Sequence, residues 1–209
     1  MRPKTLTMQL DTADADGIAQ SQTPSGAGNL TLNGALVSGG VATLDAPRRI
    51  LVTTVSNESA KTLTFTGTDR RGYALTETMT GPNATTGYTN ADFATVTQVA
   101  VSAAFTGAVT VGTNGIGSSQ VYVPDRYKNP INIGLGIDVT GTVDCTVQHT
   151  FDDVFASTFT PAGATWHSHD ALAAQTADVD GNYAFSPTGI RLLINSGIGT
   201  AALTIVQAG

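Results

Sequence analysis

The chain has 209 residues, a formal net charge of -6 and only 12% charged residues, about half the roughly 25% of an ordinary globular domain. Its ten basic residues form no run, which argues against direct nucleic-acid binding. It lacks the apolar stretch of roughly 18 residues that a transmembrane helix needs. An enzyme gathers ionisable groups in a cleft, and this composition disfavours that class too.

The first 27 residues precede the first strand signal. Met1-Arg2-Pro3-Lys4 is basic, but the apolar core of a signal peptide does not follow it, which predicts a protein made in the cytoplasm. From Asp11 to Gly28 the chain is rich in Asp, Gln, Ser, Gly and Ala. We therefore predict an extended N-terminal arm over 1–27 that becomes ordered on a partner.

Short runs rich in Val, Ile and Thr, separated by glycine-containing turns, predict β-strands along the rest of the chain. The alternation of apolar residues with threonine is clearest in 62–66. The predicted strands are 30–36, 49–55, 62–68, 74–79, 95–102, 108–112, 120–123, 131–139, 143–151, 189–195 and 201–207. A single weak helix signal lies at 168–174, with Ser168 or Asp170 as its cap.

This pattern predicts an all-β fold, with two tandem antiparallel β-sandwich or barrel-like domains after the arm. The Gly- and Ser-rich stretch 114–119 reads as a joint. The predicted domains are therefore 28–113 and 120–209.

Ionisable groups gather in the second predicted domain, but without a defined motif. The histidines have no zinc-binding spacing, and no Gly-x-Ser-x-Gly nucleophile motif occurs. We therefore predict no catalytic residue, cofactor or metal. The Asp-x-Asp-Gly sequences at 14–17 and 178–181 are predicted to form turns, and they leave calcium open. Cys145 is the chain's one cysteine and is interpreted as a small apolar strand residue. The group comprises His149, Asp152, Asp153, His167, His169, Asp170, Asp178 and Asp180.

Large aromatic side chains and one arginine are candidate interface anchors, with core packing as the alternative for the aromatics. Arg191 lies between Ile190 and Leu192 in a predicted strand, so its side chain should point away from both, into a salt bridge or a subunit contact. The predicted interface residues are Trp166, Tyr122, Tyr127, Phe155 and Arg191, with Phe151 as a further candidate.

Three stretches carry a resemblance to a known class of protein. They are Gly67-Thr68-Asp69-Arg70-Arg71-Gly72 with Thr76-Glu77-Thr78, the run 111–119, and the C-terminal part from Val147 to Gln207. In these stretches the chain resembles virion structural proteins of tailed bacteriophages, particularly capsid decoration proteins.

The resemblance implies a non-enzymatic protein that decorates and stabilises the capsid shell, on the outer surface of the virion. The implied partners are the major capsid protein or other virion proteins, and copies of the chain itself as a homo-oligomer. Neither nucleic acid nor membrane is expected as a partner. A neck, tail or baseplate component is the first alternative. The second is a host-surface or carbohydrate-binding module with an aromatic platform around Trp166, Tyr183 and Phe185.

Overall fold

A computed structural model of the chain describes residues 2–127 and 131–207. The remaining positions of the predicted arm and of the predicted second domain lie outside the described residues. The described part is all-β with antiparallel pairing. Its elements, in chain order, are β1 (Lys4–Gln9), β2 (Ala19–Gln22), β3 (Gly28–Asn29), β4 (Val37–Ser38), β5 (Val41–Arg48), β6 (Ile50–Thr54), β7 (Thr62–Thr68), β8 (Ala74–Thr80), β9 (Thr86–Tyr88), β10 (Phe93–Val101), β11 (Val109–Thr113), β12 (Gly117–Ser118), β13 (Ile133–Thr140), β14 (Val143–Thr150), β15 (His167–Ser168), the 3₁₀ helix η1 (Asp170–Leu172), β16 (Val179–Tyr183), β17 (Gly189–Gly197) and β18 (Thr200–Gln207).

Contacts divide the chain into two compact units. Thr12–Asn114 forms one of them, which we call the inserted unit. Met1–Asp11 and Gly115–Gly209 together form the other, which we call the discontinuous unit. This order differs from the tandem arrangement expected from the sequence. The chain begins in the discontinuous unit, forms the whole inserted unit, and then completes the discontinuous unit.

The N-terminal segment is not the free arm that the sequence suggested. Strand β1 pairs antiparallel with β18, and Leu6 lies opposite Leu203. Leu6 and Met8 are buried while their neighbours are exposed, so β1 contributes an apolar face to the discontinuous unit. The alternation of Leu6 and Met8 with polar residues is visible in the sequence. The polar segment from Asp11 onward led to the prediction that β1 belongs to an unpaired arm.

The inserted unit contains two sheets whose buried side chains form one hydrophobic cluster. One sheet has the order β4-β5-β10-β7-β8, with β3 added beside β10, and the other has the order β2-β11-β6-β9. Strand β7 shows why the sequence forms this structure. Its apolar residues Leu63 and Phe65 are fully buried, and its threonines are half-buried on the other face. Cross-strand threonine pairs such as Thr64–Thr78, with 2.8 Å between the hydroxyl oxygens, stabilise that second face.

The discontinuous unit likewise contains two sheets, and each of them has four strands. Their orders are β1-β18-β13-β16 and β12-β17-β14-β15. Strands of the two sheets approach each other, β1 with β17 and β14 with β18. The buried apolar side chains on these strands are mainly Leu, Ile and Val, with Tyr183 as the one large aromatic among the described ones.

Four local expectations are wrong. The strand predicted over 120–123 is reduced to an isolated bridge, in which Tyr122 pairs with Ile190. Residues 30–36 form no strand. Gly34 and Leu36 donate their backbone N–H groups to the carbonyl oxygens of Ile18 and Gly17, in the segment before β2, rather than to a neighbouring strand. The weak helix is only the 3₁₀ turn η1, capped by His169. The pair Asp180-Gly181 lies in strand β16 rather than in a turn. A Cβ on Gly181 would lie 3.1 Å from Leu172 Cδ1, so this glycine permits a close approach.

Among the described residues, no helix has the length and apolar character required to cross a membrane.

Replacing Leu6 by alanine tests the position of β1. Because Leu6 is buried against β18, we expect the L6A change to lower the free energy of unfolding of the discontinuous unit by about 2–4 kcal/mol. The chain's one tryptophan lies in this unit, so its fluorescence in a urea titration reports the loss. The exposed neighbour Thr7→Ala should change stability by less than about 0.5 kcal/mol. Equal, negligible effects of both changes would show that the segment is a free arm.

Candidate functional site

Three pairs of ring-bearing residues meet in the discontinuous unit. Each pair has the spacing i, i+2, which places both side chains on the same side of an extended chain. In each pair the first residue belongs to a strand, which is β14, β15 or β16, and the second lies just after the end of that strand. The pairs are His149 with Phe151, His167 with His169, and Tyr183 with Phe185.

A hydrogen bond between His149 and Tyr183 lies at the centre of this group. The distance from His149 Nδ1 to the Tyr183 hydroxyl oxygen is 3.0 Å. Tyr183 is only 1% exposed and His149 only 7% exposed. The two residues belong to different sheets of the unit, so the bond links those sheets.

The remaining rings surround this bonded pair. The ring centroid of His149 lies 5.3 Å from that of Phe151, 5.6 Å from that of His167 and 5.4 Å from that of Phe185. Phe151 and Phe185 also contact each other, with centroids 5.8 Å apart. Phe151, His167 and Phe185 are exposed, and we call these three rings the aromatic patch. The group therefore extends from the core to the surface.

His169 connects the group to η1 and β16. Its Nδ1 accepts a hydrogen bond from Ala171 N–H, and its Nε2 lies 3.2 Å from the carbonyl oxygen of Asn182. These partners fit a neutral ring that carries its proton on Nε2. The ring also contacts Tyr183, with 4.8 Å between centroids.

The surroundings of His149 lower its pKa. Burial is the main cause, and the nearby rings of His167 and His169 act in the same direction. Asp170 opposes them by favouring the charged form. Neutral His149 is therefore the form that the folded chain favours. Burial also raises the pKa of Tyr183, which keeps its hydroxyl protonated at neutral pH.

Trp166 and Arg191, predicted as interface anchors, contact each other. The guanidinium carbon of Arg191 lies 3.9 Å from the centroid of the Trp166 ring, a cation–π geometry. Arg191 Nε–H donates to the side-chain oxygen of Gln148, which lies opposite it in the strand register. Trp166 Nε1–H donates to Pro161 O at 2.8 Å. These contacts attach the loop between β14 and β15 to its sheet.

The other predicted anchors lie apart from this stack. Tyr127 is 98% exposed, and Phe155 is exposed with Arg126 over its ring at 5.4 Å. Tyr122 is half-buried, and its backbone exchanges two hydrogen bonds with Ile190. The interface role of these residues stays a prediction.

A pocket in the discontinuous unit is lined by two of the carboxylates but by none of the histidines. This pocket of about 230 Å³ lies in the loop between β14 and β15 and is lined by Asp152, Asp153, Phe159 and small residues. Asp152 accepts a hydrogen bond from Thr165 N–H, and Asp153 accepts one from Phe155 N–H. Both carboxylates thus hold the loop's backbone.

No described group of three or more His, Cys, Asp or Glu residues is arranged to hold a metal ion. Of the two sequences considered for calcium, that at 178–181 lies largely in β16, and Asp178 accepts a hydrogen bond from Val139 N–H. In the other, Asp14 accepts a hydrogen bond from Asp16 N–H. Cys145 is buried, and burial, followed by the nearby Asp144, raises its pKa to about 11, so it remains a thiol at neutral pH.

Sequence reasoning found most of these residues one by one but missed their assembly. The sequence presents Phe151 as a candidate anchor, and Tyr183 with Phe185 as part of an aromatic platform. It presents the histidines as candidate metal ligands or catalytic groups rather than as members of one ring cluster. The available signal was the repeated i, i+2 spacing of ring-bearing residues near strand ends. It becomes informative only once β16 is recognised as a strand.

No known family model matches the chain, and no curated protein is significantly similar to it in sequence.

Acid should destabilise the discontinuous unit through His149. The unfolded chain binds a proton at this histidine more readily than the folded chain, because the folded pKa is lowered. Unfolding free energy measured in urea should therefore fall as the pH drops from about 7.5 to about 5.5, through the ordinary histidine pKa of about 6.5. His149→Gln removes this titration and should flatten the decline. Identical pH slopes for the two proteins would contradict the assignment.

A double-mutant cycle tests the Trp166–Arg191 contact. The changes are Trp166→Leu and Arg191→Met, alone and together, with unfolding free energy as the readout. Because the guanidinium lies over the ring and Arg191 is only 7% exposed, we expect a favourable coupling energy of about 1–2 kcal/mol. Additive effects of the two changes would show that the stack contributes nothing.

Proposed function

We propose that this chain is a non-enzymatic structural protein of a tailed-phage virion that decorates and stabilises the outer surface of the capsid shell. The observation that carries the proposal is the distribution of phenylalanine. In the inserted unit Phe65, Phe93 and Phe105 are all buried in the core. In the discontinuous unit Phe159 is half-buried, and the exposed phenylalanines are Phe151 (55%), Phe155 (67%) and Phe185 (45%).

Exposed phenylalanine is costly in water and favourable in an interface. A phenylalanine side chain offers roughly 200 Å² of surface, so each of these three exposes roughly 100 Å². Burying that area yields roughly 2–3 kcal/mol per ring at about 25 cal/mol per Å². Three such rings are enough for the centre of a docking surface, while a polar rim completes the contact.

Many weak, equivalent contacts suit a protein that coats a shell. Repetition over the particle replaces the deep pocket that a single tight site needs. Two antiparallel sheets in each unit, which we propose to pack as β-sandwiches, form a rigid scaffold for the exposed rings. The proposed partners are the major capsid protein or other virion proteins, together with copies of the chain. The resemblance to phage virion proteins supports the same assignment.

The two alternatives fare differently. A neck, tail or baseplate component would use the same exposed rings and differs only in copy number. A carbohydrate-binding module would need a platform from Trp166, Tyr183 and Phe185. Trp166 is stacked by Arg191 and Tyr183 is buried, so Phe185 is the exposed ring of the three. The geometry therefore favours a protein-docking role over a sugar platform.

Purified virions test the proposal directly. Quantitative mass spectrometry should find this chain at copy numbers on the order of hundreds per particle, as repeated decoration requires. The double variant Phe151→Ser with Phe185→Ser should fold but lose at least about tenfold in particle occupancy.

Tyr73→Ser is the matched control, because Tyr73 is 67% exposed but lies in the inserted unit. Its occupancy should equal that of the wild type. A copy number on the order of ten would instead indicate a neck or tail component. Absence of the chain from particles would overturn the virion assignment.

A further inference from the structure

The sequence around the aromatic patch is strongly acidic. Between His149 and Ile190 the chain contains five aspartates and no glutamate, lysine or arginine, a formal charge of -5 in a chain whose total is -6. The five are Asp152, Asp153, Asp170, Asp178 and Asp180. A segment that supplies exposed rings to the surface therefore also holds most of the chain's net charge.

None of these five carboxylates has a described ion pair within 4.0 Å. The ion pairs of Arg48 with Asp45 and of Lys61 with Glu58 belong to the inserted unit. Asp152 directly follows Phe151, and Asp170 lies close enough to His149 to act on its charge. Two carboxylates therefore belong to the patch's immediate neighbours, Asp152 along the chain and Asp170 beside His149.

The unit already pairs arginine with aromatic rings elsewhere. Arg191 stacks on Trp166, and Arg126 lies over Phe155. No described lysine or arginine is stacked on Phe151 or Phe185. The patch thus presents ring faces and carboxylates that can receive a guanidinium from another molecule.

We propose that the aromatic patch binds a partner protein segment in which arginine alternates with apolar side chains. The apolar side chains pack against Phe151 and Phe185, and the guanidinium groups stack on the rings and pair with Asp152 and Asp170. This inference rests on the proposed docking role of the patch. A second copy of the chain is a poor occupant, because two segments of charge -5 would face each other.

The test uses the purified full chain and a short soluble peptide of alternating arginine and leucine. Two control peptides replace every arginine by glutamate or every leucine by serine. Amide chemical shifts should map the arginine–leucine peptide to 149–155 and 183–187. Its affinity should exceed that of either control by at least about tenfold, and added salt should weaken it.

Two variants locate the interaction. Phe151→Ser with Phe185→Ser should reduce the affinity for the arginine–leucine peptide by at least about tenfold. Asp152→Asn with Asp170→Asn should reduce the affinity several-fold and lessen its salt dependence. Tyr73→Ser is the control, and near-ultraviolet circular dichroism verifies that each variant is folded.

Three results would overturn the inference. The glutamate peptide could bind as tightly as the arginine peptide, or the patch variants could bind as the wild type does. Sedimentation could also show a dimer that the Phe151→Ser, Phe185→Ser variant abolishes, which would make a second copy the occupant. Because no particle is involved, peptide binding can fail while the chain is found on virions, and it can succeed while the chain is not.

Discussion

The hydrogen bond between His149 and Tyr183 is the contact on which the aromatic patch of the discontinuous unit depends. A buried tyrosine hydroxyl without a partner costs about 1–3 kcal/mol, so a side chain from the facing sheet must meet it. His149, on β14, provides this partner, because its Nδ1 lies 3.0 Å from the hydroxyl oxygen of Tyr183 on β16. Because each residue is followed at i+2 by a phenylalanine, the same bond fixes Phe151 and Phe185 side by side at the surface.

This arrangement explains why the two units use phenylalanine differently. The inserted unit fills one core shared by its two sheets with Phe65, Phe93 and Phe105. In the discontinuous unit, Leu, Ile and Val from closely facing strands already fill the interior, together with Tyr183. Its phenylalanines therefore lie at strand ends and in the long loop before β15. Three of these rings, Phe151, Phe155 and Phe185, are exposed in a chain with few charged residues.

Strands in which apolar and polar residues alternate could be predicted from the sequence. Strands defined by pairing with distant parts of the chain could not. The strand predicted over 62–68 has the bounds observed, because Leu63 and Phe65 alternate with threonine. Strand β1 was missed because its partner, β18, lies almost 200 residues away, and local polarity says nothing about such pairing. Strand β16 escapes prediction because Asp180-Gly181 has the composition of a turn, whereas in the structure Gly181 allows the close approach of Leu172. Without β16, the rings of the candidate site could be recognised only singly.

The central claim is that the discontinuous unit docks through the aromatic patch. Hydrogen-exchange mass spectrometry of the chain, free and bound to the proposed partner, a capsid shell, tests it most directly. The account predicts slower exchange on binding in 149–155 and 183–187, with unchanged exchange along β7 and β8 of the inserted unit. Protection confined to β7 and β8, with the patch exchanging as it does in the free chain, would contradict it.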